Sequence, residues 1–170
     1  MQTRTYRISK DRSRIWAEVR ATLQTLEVQA NDFQGTFQIG IADGGIAAGV
    51  APEGSFELDV RMLHGPNRLF DVDLMKFLEA RKYPTISGSP REIVPSGGAY
   101  RVRGDLQMHG EKAPVEGTVS VLEWGERELR LRGEMEVKLE TFRLKPRRLL
   151  MLKVDPTLRI FGEVVALCES

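Results

Sequence analysis

The sequence predicts an all-β fold: a small, strongly curved antiparallel barrel interrupted by one short helix. Three observations carry this. Apolar and polar residues alternate with a period of two along most of the chain, the pattern of strands with one buried and one wet face. Glycines at 35, 104, 117, 133 and 162 fall on the apolar parity of those strands, where a missing side chain lets a sheet bend or another group approach closely. Turn signals fall between the runs, at Asp43-Gly44-Gly45, Ser96-Gly97-Gly98, His109-Gly110 and Trp124-Gly125, as hairpins require. A sandwich with bulges is the alternative that the glycines leave open.

Taken in chain order, Thr3–Ile8 is a short first strand. Ile15, Ala17 and Val19 then alternate with Trp16, Glu18 and Arg20, and Phe37, Ile39 and Ile41 face away from Thr36 and Gln38. Phe56, Leu58, Val60 and Met62 alternate with Glu57, Asp59 and Arg61. Next the period changes. Phe70, Leu74, Phe77, Leu78 and Arg81 recur at helical spacing, with Asp71 and Asp73 near the start and Pro84 beyond the end, which predicts a helix over 71–82. A weaker strand follows at Thr85–Ile93. Tyr100, Val102, Leu106 and Met108 alternate with Arg101, Arg103, Asp105 and Gln107, and Val115, Val119 and Val121 with Glu116, Thr118 and Ser120. In Arg127–Leu139 one parity is Leu129, Leu131, Met135, Val137 and Leu139, and the other is entirely charged. Leu158, Ile160, Val164 and Ala166 complete the set, although Phe161 and Val165 make that strand apolar on both faces. Roughly eight or nine strands result.

The 170 residues suit one domain, 1–170, with its own core. Lys+Arg is 25 and Asp+Glu 24, so there is no global field to attract nucleic acid. The single Cys168 rules out an internal disulfide, and His64 and His109 leave too few ligands for a His/Cys zinc site. No metal and no catalytic residue is expected. His109 reads as a solvated turn residue rather than a base, and Cys168 as a plain terminal residue. The carboxylates lie almost wholly on the wet parity, where no inward acid pair forms. The Gly-rich run GGIAAG at 44–49 follows a strand without opening a helix, a poor phosphate cradle. The N-terminus has no apolar stretch long enough for a signal peptide, and no run approaches transmembrane length. The expected location is cytoplasmic as the sequence stands, and periplasmic or secreted if a leader has been removed.

The inward parity is notable for what it lacks. Ala17, Val19, Phe37, Ile39, Phe56, Leu58, Val60, Tyr100, Val102, Leu106, Met108, Val119, Val121, Leu131, Met135, Val137, Leu158 and Ile160 carry no charge. They are the candidate ligand-binding residues. An eight-stranded barrel is near the size that side chains just fill or that leaves room for one ligand. Both readings stand at this level: a lined cavity, or a solid barrel acting as an interaction or scaffold module. Small inward residues favour the cavity. Lys145-Pro146-Arg147-Arg148 followed by Leu149–Leu152 also admits two readings, a buried closing segment or a basic, apolar lip making transient contact with an anionic membrane.

Three motifs then resemble the YceI-like family of lipid- and polyisoprenoid-binding proteins. They are Tyr6-x-Ile8…Ser13-x-Ile15-Trp16, the run Leu74…Phe77…Lys82-Tyr83-Pro84-Thr85-Ile86, and Leu106-x-Met108-His109-Gly110-x-x-x-Pro114-Val115, similar to the family's LTxHGxTxPV. Their order and spacing extend the resemblance over nearly the whole chain. It implies a lipocalin-like, eight-stranded antiparallel barrel with a helix near one end. It further implies an elongated interior holding an isoprenoid chain, such as a polyprenyl or quinone tail, often in a homodimer. The expected function is therefore to carry or sequester such a lipid, without enzymatic activity and without a cofactor other than the bound lipid. Two departures stand out: Phe70-Asp71-Val72-Asp73-Leu74 where the family commonly has Arg-Asp-x-His-Leu, and Gly88 where a phenylalanine is usual.

Overall fold

The computed structural model describes residues 2–145, 148–149 and 152–169. The strands are β1 (Gln2–Ile8), β2 (Arg14–Ala21), β3 (Gln24–Ala30), β4 (Phe33–Ala42), β5 (Gly45–Ile46), β6 (Glu53–Asp59) and β7 (Leu63–His64). The helix α1 (Arg68–Phe77) follows, then β8 (Thr85–Ser96), β9 (Ala99–Met108), β10 (Glu111–Trp124), β11 (Glu128–Lys138), β12 (Arg148–Leu149), β13 (Leu152–Lys153) and β14 (Thr157–Cys168). Antiparallel ladders join β1, β4, β6, β8, β9, β10, β11 and β14, and β14 returns to β1. The result is a closed eight-stranded antiparallel barrel with one helix.

Closure depends on how β14 divides its free edge. Its C-terminal part pairs with β1, from Ala166 to Cys168, and its earlier part with β2, from Arg159 to Glu163. Between them the first strand breaks at a 3-10 turn, Lys10–Arg12. The break is patched by Ser9 N donating to Val165 O at 2.9 Å and by Ser13 Oγ accepting from Val165 N at 3.0 Å. Both ring-facing backbone groups of Val165 are thereby satisfied, as burial demands. The outer face of β14 is apolar at Phe161, which stacks on Trp16 with centroids 5.5 Å apart; Arg14 lies 4.1 Å above the Trp16 ring.

Three of the hairpins with two-residue loops use glycine in the turn. These are Asp43-Gly44, Gly97-Gly98 and His109-Gly110, and in each both residues have positive φ. Mirror-image turns of this kind match the twist of the strands they join. The hairpin joining β2 to β3 was not legible in the sequence, because Leu23 takes φ 71° without a glycine or asparagine. As a consequence β3, which buries Leu26, Val28 and Ala30, is an addition to the predicted set.

The helix also differs from its predicted span. It begins at Arg68, where the Asn67 side chain accepts from Phe70 N at 2.9 Å, and ends at Phe77 rather than at 82. Glu79 takes φ 50°, which no helix continues through. The Phe56–Met62 alternation is likewise shorter than expected: the strand stops at Asp59 and Val60–Met62 forms a 3-10 turn. Its N-cap Asp59 accepts from Arg61 N at 2.9 Å, a local bond that competes with continued pairing.

Buried side chains gather at the two ends of the barrel. At one end α1 lies across the opening, and Phe70, Leu74 and Leu78 pack with Val28, Val60, Leu106, Leu139 and Phe142. At the other, Tyr6, Ile39, Leu129 and Ala166 are buried, and Phe37 stacks on Tyr6 with centroids 5.5 Å apart. What lies between the two clusters is not filled.

Candidate functional site

Between the clusters is a cavity of about 500 Å³. That volume falls within the range of small-molecule sites, about 300–1,000 Å³. Val102, Val119, Leu131, Met135 and Ile160 point inward at mid-barrel yet are only half-buried, because they border empty space rather than one another. Small residues widen the space. Gly133 and Gly162 face each other across the β11–β14 ladder and both line it, and a Cβ added at either meets nothing nearer than 3.6 Å. Gly104 has the other role assigned to these glycines: its added Cβ would come within 2.3 Å of Ser89 O, so a close approach of β8 requires it.

Of the sequence-predicted lining, all but Val60, Tyr100, Val121 and Val137 border the cavity. Each exception has a local cause. Val60 turns into the helix-end cluster with the 3-10 turn, and Val137 is buried in the same cluster. Val121 stands where a bulge shifts the β10–β11 register. Tyr100 directs its hydroxyl to Ile46 N, which donates to it at 3.1 Å. Sequence reading missed Leu74, Phe77 and Leu78, with which α1 closes one end, and Ile46 and Pro52 from the β4–β6 connection. The helical spacing of the first three was visible; that their face would turn onto a barrel opening was not.

Among the described residues, the lining includes no Lys, Arg or His. Its two carboxylate residues, Asp105 and Glu134, stand on the outward parity, and Asp105 pairs with Arg91 at 3.2 Å. Nor does any group of three or more His, Cys, Asp or Glu among the described residues have the arrangement to hold a metal ion. No helix among them is long and apolar enough to cross a membrane. The Leu149–Leu152 lip, beyond a short backbone ladder, lies outside the described residues.

Both histidines are bound by neighbours. His64 Nδ1 lies 3.2 Å from Asp71 Oδ2, whose other oxygen accepts from Gly65 N at 2.6 Å, fixing the entry into α1. His109 corrects the expectation of a solvated side chain. It occupies the turn, at φ 54°, but its side chain is only 12% exposed. Nδ1 reaches the Phe142 carbonyl at 2.9 Å and Nε2 the Glu79 carboxylate, while the ring packs edge-on against Tyr83 at 4.8 Å. One side chain thus ties the β9–β10 hairpin to the chain after α1 and to the turn after β11.

The two histidine and tyrosine-proline motifs singled out in the sequence therefore meet in space. A model of the YceI-like domain matches residues 6–166 of the chain. The chain belongs to the YceI-like family. Its barrel resembles that of BcnA from Burkholderia cenocepacia, at 18% identity and a TM-score of 0.79, covering 93% of this chain and 98% of that one. A polyisoprenoid-binding domain from Saccharophagus degradans, implicated in plant cell wall breakdown, matches at 12% identity and TM-score 0.74 over 96% and 98% of the two chains. The Campylobacter jejuni YceI protein matches at 12% and 0.71, over 84% and 85%. At such identities the likeness is one of fold. No curated protein sequence matches the chain significantly. For this YceI-like chain the family match supports lipid or isoprenoid binding at the level of the family.

Proposed function

We propose that this YceI-like barrel carries or sequesters a long apolar lipid of isoprenoid type, a polyprenyl or quinone tail, in its interior, and that it catalyses no reaction. The observation that supports this best is the apolar, unfilled space between two packed ends. The same space disfavours the solid-barrel alternative. Each buried methylene contributes about 0.8 kcal/mol, so a chain of some fifteen carbons gains about 12 kcal/mol. That gain is enough to offset much of an association cost of about 4–15 kcal/mol without polar contacts. The absence of cationic side chains from the described lining favours an uncharged head group, such as a quinone ring or an alcohol, over a phosphate. A homodimer and transient contact with a membrane belong to the same reading, as the routes by which a carrier is assembled and loaded.

Tail length is the decisive variable. Delipidated protein is titrated with quinone analogues bearing no, one, two or more isoprenoid units. Affinity should rise steeply with each unit until the cavity is filled, and the bare head group should not bind measurably. Binding that depends on the head group and ignores the tail would refute the proposal.

A further inference from the structure

One part of the barrel wall is not hydrogen-bonded. The β6–β8 ladder runs from Asp59↔Thr85 to Phe56↔Gly88 and stops there. Beyond it, β8 continues from Ser89 to Ser96 laddered to β9, and Glu53–Ser55 of β6 is laddered to β4. The chain has a physical reason to stop. Pro90 and Pro95 have no N–H to give a neighbour, and a bulge between Pro90 and Glu92 bends the edge. The cavity reaches this slit, since Pro52 and Ser55 on one bank and Ser89, Pro90 and Ile93 on the other all border it.

What covers the slit is the β4–β6 connection, the segment that contains GGIAAG. Gly44 and Gly49 take φ of 73° and 86°, and an added Cβ at either meets nothing within 4 Å. Between them Ile46 turns inward to the cavity and Ala47 is buried, its N–H donating to Gly40 O at 2.8 Å. The connection reaches past the far bank to β9, the strand paired with β8, through Ile46 N donating to the Tyr100 hydroxyl at 3.1 Å. Gly45 lies so close that a Cβ there would be 2.9 Å from the same oxygen.

We propose that the apolar chain enters and leaves through this side slit, and that residues 43–52 are its flap, with Tyr100 as the latch. The inference rests on the carrier reading and adds the route. It accounts for Tyr100, whose hydroxyl is spent on the flap rather than on the cavity, and for a glycine-rich run that cradles no phosphate. The opposite openings are both occupied by packed side chains, so the slit is where the least structure must be displaced.

The test pins the flap. A Cβ added at Gly40 lies 3.0 Å from Val50 Cβ, near enough to the disulfide range of about 3.5–4.5 Å that Gly40→Cys with Val50→Cys, in a Cys168→Ser background, can be bridged with a small adjustment. Association and release of a fluorescent polyprenol are followed by stopped flow in the oxidised and the reduced protein. Oxidation should slow both by at least tenfold, reversibly on reduction. A second variant needs no bridge: Tyr100→Phe should quicken both rates by about three- to tenfold, as expected for loss of one hydrogen bond from the closed state, with Kd within twofold. Rates that are unchanged in both variants overturn the route while leaving the carrier reading intact. A wild type that binds no polyprenol at all overturns both.

Discussion

Replacing Gly162 by leucine tests whether the interior is space or core. Gly162 points into the cavity from the middle of β14, opposite Gly133 and beside Ile15. A Cβ there would meet Val164 Cγ2 at 3.7 Å, Ile15 Cγ1 at 3.9 Å and Arg14 O at 4.0 Å, all ordinary contacts. The four added carbons therefore occupy room now empty. In the delipidated protein the change should be neutral or stabilising by up to about 1 kcal/mol, because a strand glycine costs about 0.5–1 kcal/mol relative to alanine. The same four carbons displace a similar length of ligand. At about 0.8 kcal/mol per methylene this removes about 3 kcal/mol, on the order of a hundredfold in Kd. The assay is a urea melt of delipidated wild type and variant, beside a polyprenol titration; bound lipid must be absent from the melts because it stabilises the native state by mass action. Gly104→Ala is the internal contrast. Its Cβ would fall 2.3 Å from Ser89 O and 3.1 Å from Pro90 Cα, so overpacking should cost about 1–3 kcal/mol. A Gly162→Leu protein that loses more than about 1 kcal/mol in the apo state, as an overpacked core does, or that binds as tightly as wild type, refutes the reasoning.

His109→Asn should destabilise the barrel by about 1 kcal/mol, since asparagine does not span to both Glu79 and the Phe142 carbonyl and leaves that carbonyl, in a buried residue, short of a partner, while the exposed Glu79 carboxylate turns to water; a melt coincident with wild type would show that this clamp contributes nothing. Asp59 carries the pH prediction. The hydrogen bond from the Arg61 side chain holds its carboxyl below the ordinary 3.8, so its contribution is complete above that value and is lost as pH falls through the lower folded-state value. The difference in melting between wild type and Asp59→Asn should accordingly be constant from neutrality down to about 4 and shrink in more acid solution; a gap that widens there would contradict the assignment.

Much of the barrel was legible because its strands are half-wet. The alternation in Glu128–Lys138 or Ala99–Met108 encodes which face is inward, and most of the residues that parity named border the cavity, although they form only part of its lining. The elements that escaped are those whose signal is not local. Leu23 makes a left-handed turn that no residue type advertises, so β3 was hidden behind it. Glu79 ends α1 by the same conformation, inside a run that keeps helical spacing to Arg81. Tyr100 shares the parity of Val102, yet its hydroxyl is claimed by a backbone N–H 54 residues away. His109 sits in a loop whose sequence signals a wet hairpin corner, and it is buried by Tyr83, Glu79 and Phe142, which only the closed fold brings to it. Period-two patterning fixes faces; it says nothing of which distant group a face will meet.

The central claim, that the interior holds an apolar chain, is tested most directly by native mass spectrometry of protein purified without detergent. The account predicts a mass above that of the polypeptide, lost on denaturation, with a discrete isoprenoid-type lipid recovered by organic extraction. A bare polypeptide mass in repeated preparations, together with no binding of added polyprenol or long-tailed quinone, would contradict it.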